Sequence, residues 1–451
     1  MKRITLNEAA NAVNGRLVQC ENGGQYITNV AIDNRRIAEG GLFVPIKGER
    51  FDGHSFIDAA FEAGAVCTLS EREPKNPHPH IIVKDSRQAF LDLAEYYRGL
   101  LGVRLVAVTG SVGKTTTKEM IAAVLEKGFS VKKSEGNLNN QTGVPQTLFG
   151  IEPHHEAAVV EMGTNHFGEI ASIAKAGRPD ICVFTNIGDA HIEFLGSREG
   201  VLKAKCEMLP YMRKNGTIIA NGDDALLRRL KNEHEGVITY GFGENCDVRA
   251  VEITHESIEG TGFFIEFGGR RTEAFVNSPG RHMVLNALAA YAVGKCFGMD
   301  DEKIARGIGS YSPIFGRMLT EKVNGLTLLN DAYNANPSSV KASLDALSIA
   351  KGRRVAILGD MLELGDDAPM YHAETGTYAL KKGIECVICV GALSRHTFDA
   401  AKGVGVYFES KAELLSRVGE LVRQGDTVLI KGSRGMALED VAERLRGSER
   451  N

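Results

Sequence analysis

The run Thr109-Gly-Ser-Val-Gly-Lys-Thr-Thr-Thr117 constrains the fold of this chain more than any other stretch. It follows an apolar run at residues 103–108 and precedes residues 118–127, where apolar side chains recur at helical spacing. A strand, a glycine-containing turn and a helix in this order surround a phosphate with backbone N–H groups and the positive end of a helix dipole. Lys114 then suits the β/γ-phosphates of a nucleotide, and the Thr115 hydroxyl suits Mg²⁺. The run therefore predicts a phosphate-binding loop for ATP or GTP.

This run departs from the usual spacing of a phosphate loop. Val108 stands where the first glycine of G-x-x-x-x-G-K-[ST] is expected, and Gly110 comes two residues later. The alternative is an ordinary strand-to-helix turn that happens to contain Gly-Lys-Thr. The flanking strand and helix are the context that the motif requires, so they favour the phosphate loop.

Length, charge and the N-terminal residues restrict the class of protein. A chain of 451 residues predicts about three domains. The net charge of −4 gives no indication of a nucleic-acid partner. Residues 1–10 are amphipathic and include an acid, so no signal peptide is expected, and no apolar run reaches the length of a membrane span. We expect a soluble, cytoplasmic protein.

The cysteines and a pair of histidines offer weak metal or redox motifs. The eight cysteines fit a cytoplasmic protein, and Cys386 and Cys389 form a C-x-x-C inside an apolar run that predicts a buried strand. Alternation along a strand would place the two thiols on opposite faces, which favours core thiols over a redox or zinc pair. His78 and His80 are expected in a solvated loop rather than a metal site, because no further ligand is near in sequence.

Three segments with different patterns follow one another. Residues 1–85 hold short strands and helices, and residues 86–315 alternate buried strands with helices, with an antiparallel insertion at residues 248–276. Residues 316–451 alternate again, which is typical of a doubly wound, Rossmann-like domain, but without G-x-G-x-x-G after its first strand. We predict an α/β protein of three domains, in which the last closes over a nucleotide held by the central, mostly parallel sheet.

The first segment carries a candidate diphosphate site. Residues 42–46 are predicted as a strand, and residues 47–56 as the opening of a helix that ends near Gly64. The arginines of Ala31-Ile-Asp-Asn-Arg-Arg36 suit a diphosphate, and a surface ion-pair cluster is an equal alternative.

Polar residues follow three of the predicted central strands. Glu161, the run ending in His191, and the pair Asp223 and Asp224 each come directly after such a strand. Ligands lie at the carboxyl ends of parallel strands, so these residues are expected near Lys114. Glu161 could hold Mg²⁺ through oxygen, whereas His191 is either a metal or phosphate ligand or a structural histidine.

Several ordered motifs resemble those of the Mur ligases of peptidoglycan synthesis. They are Val108-Thr-Gly-Ser-Val-Gly-Lys-Thr-Thr116, Gly136-Asn-Leu-Asn-Asn-Gln-Thr-Gly-Val-Pro145, Glu161-Met-Gly163, Thr185-Asn-Ile-Gly-Asp-Ala-His191, Lys205, His282 with Asn286, Gly316-Arg317, and Asp331. The resemblance spans all three predicted domains. It implies an ATP-dependent ligase that forms an amide bond through an acyl phosphate.

Two further runs indicate which member of the family the chain resembles. Asn330-Asp-Ala-Tyr-Asn-Ala-Asn-Pro337 and Ala356-Ile-Leu-Gly-Asp-Met-Leu-Glu-Leu-Gly365 are similar to the ligase that adds D-alanyl-D-alanine to UDP-N-acetylmuramoyl-tripeptide. Gly41-Leu-Phe-Val-Pro-Ile-Lys-Gly48 with Asp52-Gly-His54 resembles a UDP-binding domain shared with the ligase that adds the third residue. The amino-acid motif of that neighbour, Asp-Asn-Pro-Arg, is not found.

The resemblance implies a role for individual residues. Lys114, Lys205 and His191 would be catalytic, with Thr115 and Glu161 on one Mg²⁺, and with His191 and a carbamoylated Lys205 on the other. From sequence alone, Lys205 is equally a surface helix lysine. ATP contacts would come from Gly110, Ser111, Val112, Gly113, Lys114, Thr115, Thr116, Asn286, Arg317 and Asp331. Substrate contacts would come from Asp33, Asn34, Arg35, Asn139, Asn140 and Thr142.

One position departs from the family, and several properties stay open. Asn34 stands where the family usually has a serine, so that hydroxyl contact with UDP is in doubt. Another ligase of the superfamily and a phosphate-loop switch that signals by conformation are the alternatives. Family precedent favours a monomer, and the third peptide residue is diaminopimelate or lysine.

Overall fold

A computed structural model describes residues 1–48, 51–189 and 192–447. The strands are β1 (Ile4–Thr5), β2 (Arg16–Val18), β3 (Tyr26–Ile27), β4 (Val30–Ala31), β5 (Gly41–Phe43), β6 (Ala65–Ser70), β7 (His80–Ile82), β8 (Arg104–Thr109), β9 (Val131–Lys133), β10 (Ala157–Glu161), β11 (Ile181–Phe184), β12 (Thr217–Asn221), β13 (Val237–Gly241), β14 (Val248–Ser257), β15 (Gly260–Phe267), β16 (Arg270–Val276), β17 (Leu319–Val323), β18 (Leu326–Asn330), β19 (Arg354–Gly359), β20 (Cys386–Val390), β21 (Gly405–Phe408) and β22 (Thr427–Lys431).

The helices alternate with these strands along most of the chain. They are α1 (Leu6–Ala12), α2 (Ile57–Glu62), α3 (Ser86–Gly99), α4 (Lys114–Leu125), α5 (Gly143–Phe149), α6 (Glu169–Gly177), α7 (Ile192–Leu195), α8 (Arg198–Cys206), α9 (Leu230–Glu233), α10 (Arg281–Cys296), α11 (Asp301–Gly309), α12 (Pro337–Ser348), α13 (Ala368–Lys381), α14 (Ser394–Ala400), α15 (Lys411–Leu421) and α16 (Glu439–Arg446). Within the described residues, none of them is both long enough and apolar enough to cross a membrane.

Local sequence explains where α3 begins and which face it buries. The Asp85 carboxylate accepts hydrogen bonds from the N–H groups of Arg87 and Gln88, which satisfies donors that the first helical turn leaves open. One stripe of the helix at helical spacing is buried, and it includes Phe90, Leu93, Ala94 and Tyr97. The helix predicted from residue 86 is thereby confirmed.

Predicted boundaries near residue 45 differ from the observed ones. Strand β5 ends at Phe43 rather than at residue 46, since Pro45 has no N–H to donate to a neighbouring strand. The helix predicted to open within residues 47–56 starts as a 3₁₀ turn at Gly53–Phe56 and becomes α2 at Ile57.

The prediction that His78 and His80 lie in a solvated loop is wrong for His80, whereas His78 does lie in a loop and is partly exposed. His80 begins β7, which pairs with β6 and β2, and its buried Nδ1 donates to the carbonyl of His78 at 2.7 Å. The His78 ring stacks on Phe61 with 4.0 Å between the ring centroids, and its Nε2 lies 2.8 Å from the Asp58 carboxylate. Strand pairing therefore outweighs the flanking prolines. Across the described residues, no three His, Cys, Asp or Glu side chains are grouped to hold a metal.

The described chain divides into two compact units, each discontinuous in sequence. The first unit contains Met1–Thr109, Phe129–Val183 and Ala204–Thr217, and the second contains Gly110–Gly128, Phe184–Lys203 and the chain from Ile218 onward. Both units therefore include residues from the central predicted domain. The domain boundaries after residues 85 and 315 stay a prediction.

The first unit is built on two sheets and a short strand pair. One sheet has the strand order β2-β7-β6-β5-β4, and β1 pairs with β3 beside it. Strands β11, β8, β10 and β9 are neighbours in that order within a larger sheet, and β10 is parallel to both of its neighbours. The carboxyl ends of β8 and β10 therefore lie at one edge, which is where Glu161 ends β10.

The second unit contains a mixed sheet and a doubly wound sheet. Strands β12, β13 and β14 are parallel, and β14, β15 and β16 then form the antiparallel insertion predicted at residues 248–276. The doubly wound sheet has the order β17-β18-β22-β19-β20-β21, with every pair parallel except β17 with β18. The predicted Rossmann-like architecture is confirmed.

Helices cover both faces of the doubly wound sheet, and the two cysteines of β20 point to different faces. Cys389 belongs to the apolar cluster that includes residues of α12 and α13, whereas Cys386 belongs to the cluster of α15 and α16. Burial raises the pKa of both thiols. The prediction of core thiols on opposite faces is confirmed.

A buried cation joins α3 to the parallel sheet of the first unit. The fully buried Arg98 donates to the carbonyls of Gly177 and Leu101, and its Nη2 lies 3.1 Å from Asp180 Oδ2. Asp180 Oδ2 also accepts the N–H of Leu105 at 2.8 Å. Burial lowers the pKa of Arg98 to about 10, so the guanidinium stays charged at neutral pH. The ion pair therefore fixes α3 against the start of β8.

Replacing Arg98 tests this anchor. Arg98→Ala leaves the Asp180 carboxylate without its buried partner, so we expect the free energy of unfolding to fall by about 3–5 kcal/mol. Urea unfolding followed by circular dichroism measures the change. Arg306→Ala, in an exposed pair with Glu302, is the matched control and should change stability by less than about 0.5 kcal/mol. Equal effects of the two variants would contradict the role of Arg98.

Candidate nucleotide and substrate site

Two glycines shape the loop between β8 and α4. Gly110 has φ of +147° and Gly113 has φ of +84°, which are conformations that L side chains rarely adopt. A Cβ on Gly110 would lie 1.9 Å from Thr185 Oγ1 and 3.1 Å from the Asn186 nitrogen. Gly110 therefore allows the loop to pack directly against the chain that follows β11.

The residues after β11 hold the loop through several hydrogen bonds. The Ser111 N–H donates to the Asn186 carbonyl at 3.0 Å, and the Val112 N–H donates to Asn186 Oδ1 at 2.9 Å. The Thr185 hydroxyl donates to the Val112 carbonyl at 2.6 Å, and the Gly188 N–H donates to Ser111 Oγ at 2.8 Å. These bonds fix the loop's backbone, so its shape does not have to be created by a ligand.

The first turn of α4 presents N–H groups and a lysine. Among the described residues, no side chain caps the helix at Gly113. Lys114 Nζ donates to the Gly110 carbonyl at 2.9 Å, which brings the ammonium back over the loop. Thr115 and Thr116 are both buried in this turn. An uncapped helix start beside an ammonium is an arrangement that binds phosphate oxygens.

Two residues predicted to contact ATP lie against this helix. Asn286 Oδ1 of α10 accepts from the Thr117 hydroxyl at 3.0 Å. Arg317 Nη2 donates to Thr115 Oγ1 at 3.3 Å, and its guanidinium carbon lies 3.8 Å from the centroid of the Tyr333 ring. The second unit therefore brings Asn286 and Arg317 to the phosphate loop.

Asp331 is the centre of a buried ionic cluster in the same unit. Its Oδ2 lies 2.5 Å from Lys431 Nζ and accepts from the Ser343 hydroxyl at 2.7 Å. Its Oδ1 accepts the N–H of Met318, the residue after Arg317, at 3.2 Å. Lys431 is almost fully buried, so Asp331 compensates a charge that water does not reach.

The aspartates after β12 serve the fold of the second unit. Asp224 accepts the N–H groups of Ile187, Leu226 and Leu227, and Asp223 accepts those of Phe242 and Gly243. Both carboxylates thus stabilise loop backbone. The expectation that this pair joins the chemistry near Lys114 has no support in these bonds.

Glu161 and Asn139 meet in the first unit. The Glu161 side chain is 1 % exposed, and its Oε1 accepts from Asn139 Nδ2 at 2.8 Å. The Glu161 N–H donates to Ser134 Oγ at 3.1 Å. A buried carboxylate at the end of a parallel strand is a ligand that suits Mg²⁺.

The Asn140 side chain is engaged in the turn that leads into α5. Its Oδ1 accepts from the N–H groups of Thr142 and Gly143 and from the Thr142 hydroxyl, at 2.9–3.1 Å. Asn and Asp commonly make such bonds to backbone groups two or three residues on. In the sequence, Asn140 lies just before an apolar helical segment, which is a position typical of such turn-forming bonds. The sequence-based prediction did not include this role.

Residues 31–36 were predicted either to bind a diphosphate or to form a surface ion-pair cluster, and the structure shows an ion pair there. Asp33 and Arg35 make a bidentate contact, with 2.7 Å between Asp33 Oδ2 and Arg35 Nη2. The hydrogen bonds from Arg35 lower the pKa of Asp33 to about 2. Asn34 opens the adjacent 3₁₀ turn, and the Arg35 side chain is 83 % exposed.

The remaining predicted site residues are Lys205 and His191. Lys205 lies in α8 and is 2 % exposed, so the alternative of a surface lysine is wrong. His191 lies outside the described residues. Sequence reasoning assigned no individual site role to Thr185, Asn186 or Tyr333, although Thr185 and Asn186 begin the run ending in His191 that it placed after a central strand.

Family models and relatives match nearly the whole chain. The Mur ligase middle domain matches residues 108–294, the Mur ligase glutamate ligase domain matches residues 316–434, and the Mur ligase family catalytic domain matches residues 26–134. The UDP-N-acetylmuramoyl-tripeptide--D-alanyl-D-alanine ligase of Bacillus subtilis is 39% identical over 456 residues, which cover 99% of both chains. The chain belongs to the Mur ligase family. The Escherichia coli ligase of the same name is 37% identical to this Mur ligase and again covers 99% of both chains.

Solved structures of the family share the fold of this Mur ligase. A structure of MurF from Acinetobacter baumannii superposes with a TM-score of 0.93 at 29% identity, covering 99% of both chains. MurF from Thermotoga maritima, solved in complex with ADP, has a TM-score of 0.85 at 28% identity, covering 93% of this chain and 97% of that one. The predicted α/β fold with three Mur ligase domains is confirmed.

The Gly110 contact generates a direct test of the phosphate loop. Gly110→Ala places a methyl group against Thr185, so the loop must move, and we expect affinity for a fluorescent ADP analogue to fall roughly 10²-fold. Gly102→Ala, at a glycine whose added Cβ meets nothing within 4 Å, is the control and should bind normally. Normal binding by Gly110→Ala would show that the close approach is dispensable.

Proposed function

We propose that this Mur ligase uses ATP to join D-alanyl-D-alanine to UDP-N-acetylmuramoyl-tripeptide, giving the UDP-muramoyl-pentapeptide. The observation that carries the proposal is the similarity, over 99% of the chain, to ligases named for this reaction. The preformed phosphate loop supports the use of ATP, since its glycines, helix start and lysine together suit a triphosphate.

The proposed reaction activates a carboxylate before the amine attacks it. A carboxylate is a poor electrophile, so the γ-phosphoryl group of ATP passes to the terminal carboxylate of the tripeptide. The free amine of the dipeptide then attacks the acyl phosphate, and inorganic phosphate leaves. In this scheme Lys114 and the N–H groups of α4 neutralise charge on the phosphoryl oxygens, and Arg317 approaches them from beside Thr115.

Two residues with hard oxygen atoms suit Mg²⁺ in this scheme. They are Thr115, through its hydroxyl, and Glu161, whose carboxylate is buried and oriented by Asn139. A bound Mg²⁺ would supply charge neutralisation during phosphoryl transfer. His191 is proposed for a second Mg²⁺ together with a carbamoylated Lys205.

The burial of Lys205 supports carbamoylation. The Lys205 side chain is 2 % exposed, so a carbamate formed on it would lie inside the protein rather than in bulk water. Conversion of the ammonium to a carbamate replaces a positive charge with a negative one and supplies oxygen atoms that could bind a metal ion.

We place the uridine-linked substrate at the N-terminal segment and at the loop before α5. Asp33, Asn34 and Arg35 are proposed to bind the UDP portion, and Asn139, Asn140 and Thr142 the part nearer the acyl phosphate. The Arg35 side chain is exposed, so its guanidinium can leave the ion pair with Asp33 and bind a diphosphate instead. A monomer in the cytoplasm is proposed as well, on family precedent.

Omission of each substrate tests the assignment. Phosphate release is measured with Mg·ATP, UDP-N-acetylmuramoyl-tripeptide and D-alanyl-D-alanine, leaving out each in turn and identifying the product by mass. We expect release only when all three are present, with a UDP-muramoyl-pentapeptide product. Tripeptides that end in diaminopimelate and in lysine are compared in the same assay. Turnover that no acceptor stimulates would favour a conformational switch, and turnover without the dipeptide would favour another ligase.

Carbamoylation of Lys205 has a spectroscopic test. In ¹³C-bicarbonate, the protein should show a carbamate ¹³C signal that disappears in Lys205→Arg, because arginine does not form a stable carbamate. Lys203→Arg, at a neighbouring exposed lysine, is the control and should keep the signal. An unchanged signal in Lys205→Arg would place the carbamate elsewhere.

A further inference from the structure

Arg317 reaches the phosphate loop with few polar contacts of its own. Its Nη2 donates to Thr115 Oγ1 at 3.3 Å, which is long for a hydrogen bond of this kind. Its Nε is buried and has no hydrogen-bond acceptor among the described residues. A guanidinium has five N–H donors, so one long bond leaves its plane free to turn. Another contact must therefore fix the direction of this group.

The aromatic ring of Tyr333 is that contact. The Arg317 guanidinium carbon lies over the ring, 3.8 Å from its centroid. A guanidinium above an aromatic face is attracted by the negative charge of the π-system, and the attraction grows where water is excluded. At this separation a planar guanidinium clears the ring only when the two planes are roughly parallel, so the ring also restrains how the group turns. The ring therefore sets where the donors of Arg317 point.

The backbone of Tyr333 is joined to the residue before Arg317. The Tyr333 N–H donates to the Gly316 carbonyl at 3.1 Å. On the other side of the arginine, the Met318 N–H donates to Asp331 Oδ1 at 3.2 Å. The loop that follows β18 therefore binds the chain both before and after Arg317. Because these bonds fix the backbone of the arginine relative to the ring, the stacking geometry is built into the loop.

Packing of the sheet does not explain why an aromatic residue stands at this position. Tyr333 is half-buried and belongs to neither of the two apolar clusters that flank the doubly wound sheet. Within the part of the chain that the structure describes, its hydroxyl has no hydrogen-bond partner. The ring face that Arg317 covers is thus the part of this side chain that makes a specific contact.

We propose that Tyr333 is a positioning residue, which holds the Arg317 guanidinium in the direction of the γ-phosphate of ATP. The inference rests on the proposed function, in which Arg317 approaches the phosphoryl oxygens from beside Thr115. It adds the residue that fixes the direction of that approach. ADP has no γ-phosphate, so a loss of direction should weaken the binding of ATP far more than the binding of ADP.

Nucleotide affinities measure this positioning. Dissociation constants for ADP and for an ATP analogue with a β,γ-imido bridge, which is not hydrolysed, are measured with Mg²⁺ by isothermal titration calorimetry. Tyr333→Leu removes the ring, so the dissociation constant of the ATP analogue should rise roughly 5- to 30-fold, as expected for loss of a partly desolvated cation–π contact. The constant for ADP should change less than about 2-fold, since Arg317 is directed at the γ-phosphate. Tyr333→Phe keeps the ring face and should bind both nucleotides normally.

A double variant tests whether the effect passes through Arg317. In Arg317→Ala the ring has no guanidinium to direct, so adding Tyr333→Leu should weaken the binding of the ATP analogue by less than about 2-fold more. Arg434, whose guanidinium carbon lies 5.4 Å from the same ring centroid, stays intact in this double variant, so an effect through Arg434 would persist. Tyr407→Leu is the matched control, because Tyr407 belongs to β21 of the same sheet and Arg395 lies over its ring at 5.1 Å. It should change neither dissociation constant.

The outcomes are distinguishable. Equal losses of affinity for the ATP analogue and for ADP in Tyr333→Leu, or a full effect of that substitution in the Arg317→Ala background, would overturn the positioning role and leave the ligase assignment intact. A second variant without the ring, Tyr333→Gln, should show the same selective loss, and normal binding by either variant would also overturn the role. A wild-type protein that binds neither nucleotide, or that no dipeptide stimulates, would instead overturn the proposed function before any variant is measured.

Discussion

The approach of Gly110 to Thr185 is the constraint on which the nucleotide side of this protein depends. No β-carbon fits in the space between them, so the loop after β8 and the chain after β11 pack backbone against side chain. Hydrogen bonds from Thr185, Asn186 and Gly188 then fix the loop. Because α4 follows the loop directly, the fixed loop sets the position of the first turn of α4. Asn286 and Arg317 contact the first turns of that helix, so their positions follow from the same packing.

Polar residues at the strand ends divide into two groups. The carboxylates of Asp223 and Asp224 accept hydrogen bonds from backbone N–H groups and so stabilise loops. Glu161 instead ends its strand inside the protein, where a side-chain amide donates a hydrogen bond to its carboxylate. Position at a strand end alone therefore does not distinguish carboxylates that stabilise loop backbone from those that do not.

Much of the fold followed from sequence because periodic burial leaves a strong local pattern. The parallel strands, the insertion at residues 248–276 and the opposite faces of Cys386 and Cys389 are predictable in this way. The burial of His80 and Lys205 is not, since it depends on partners distant in sequence.

The contact between Asp331 and Lys431 has a consequence for how this sequence can change over generations. Each residue is buried or nearly so, and each supplies the charge that the other needs. Loss of either one alone leaves an uncompensated ion at a cost of roughly 3–5 kcal/mol, which is a large part of the stability of a typical domain. Substitutions at these two positions, which are 100 residues apart, are therefore energetically coupled. Lineages that depart from this pair should have replaced both residues, with few surviving intermediates that carry only one.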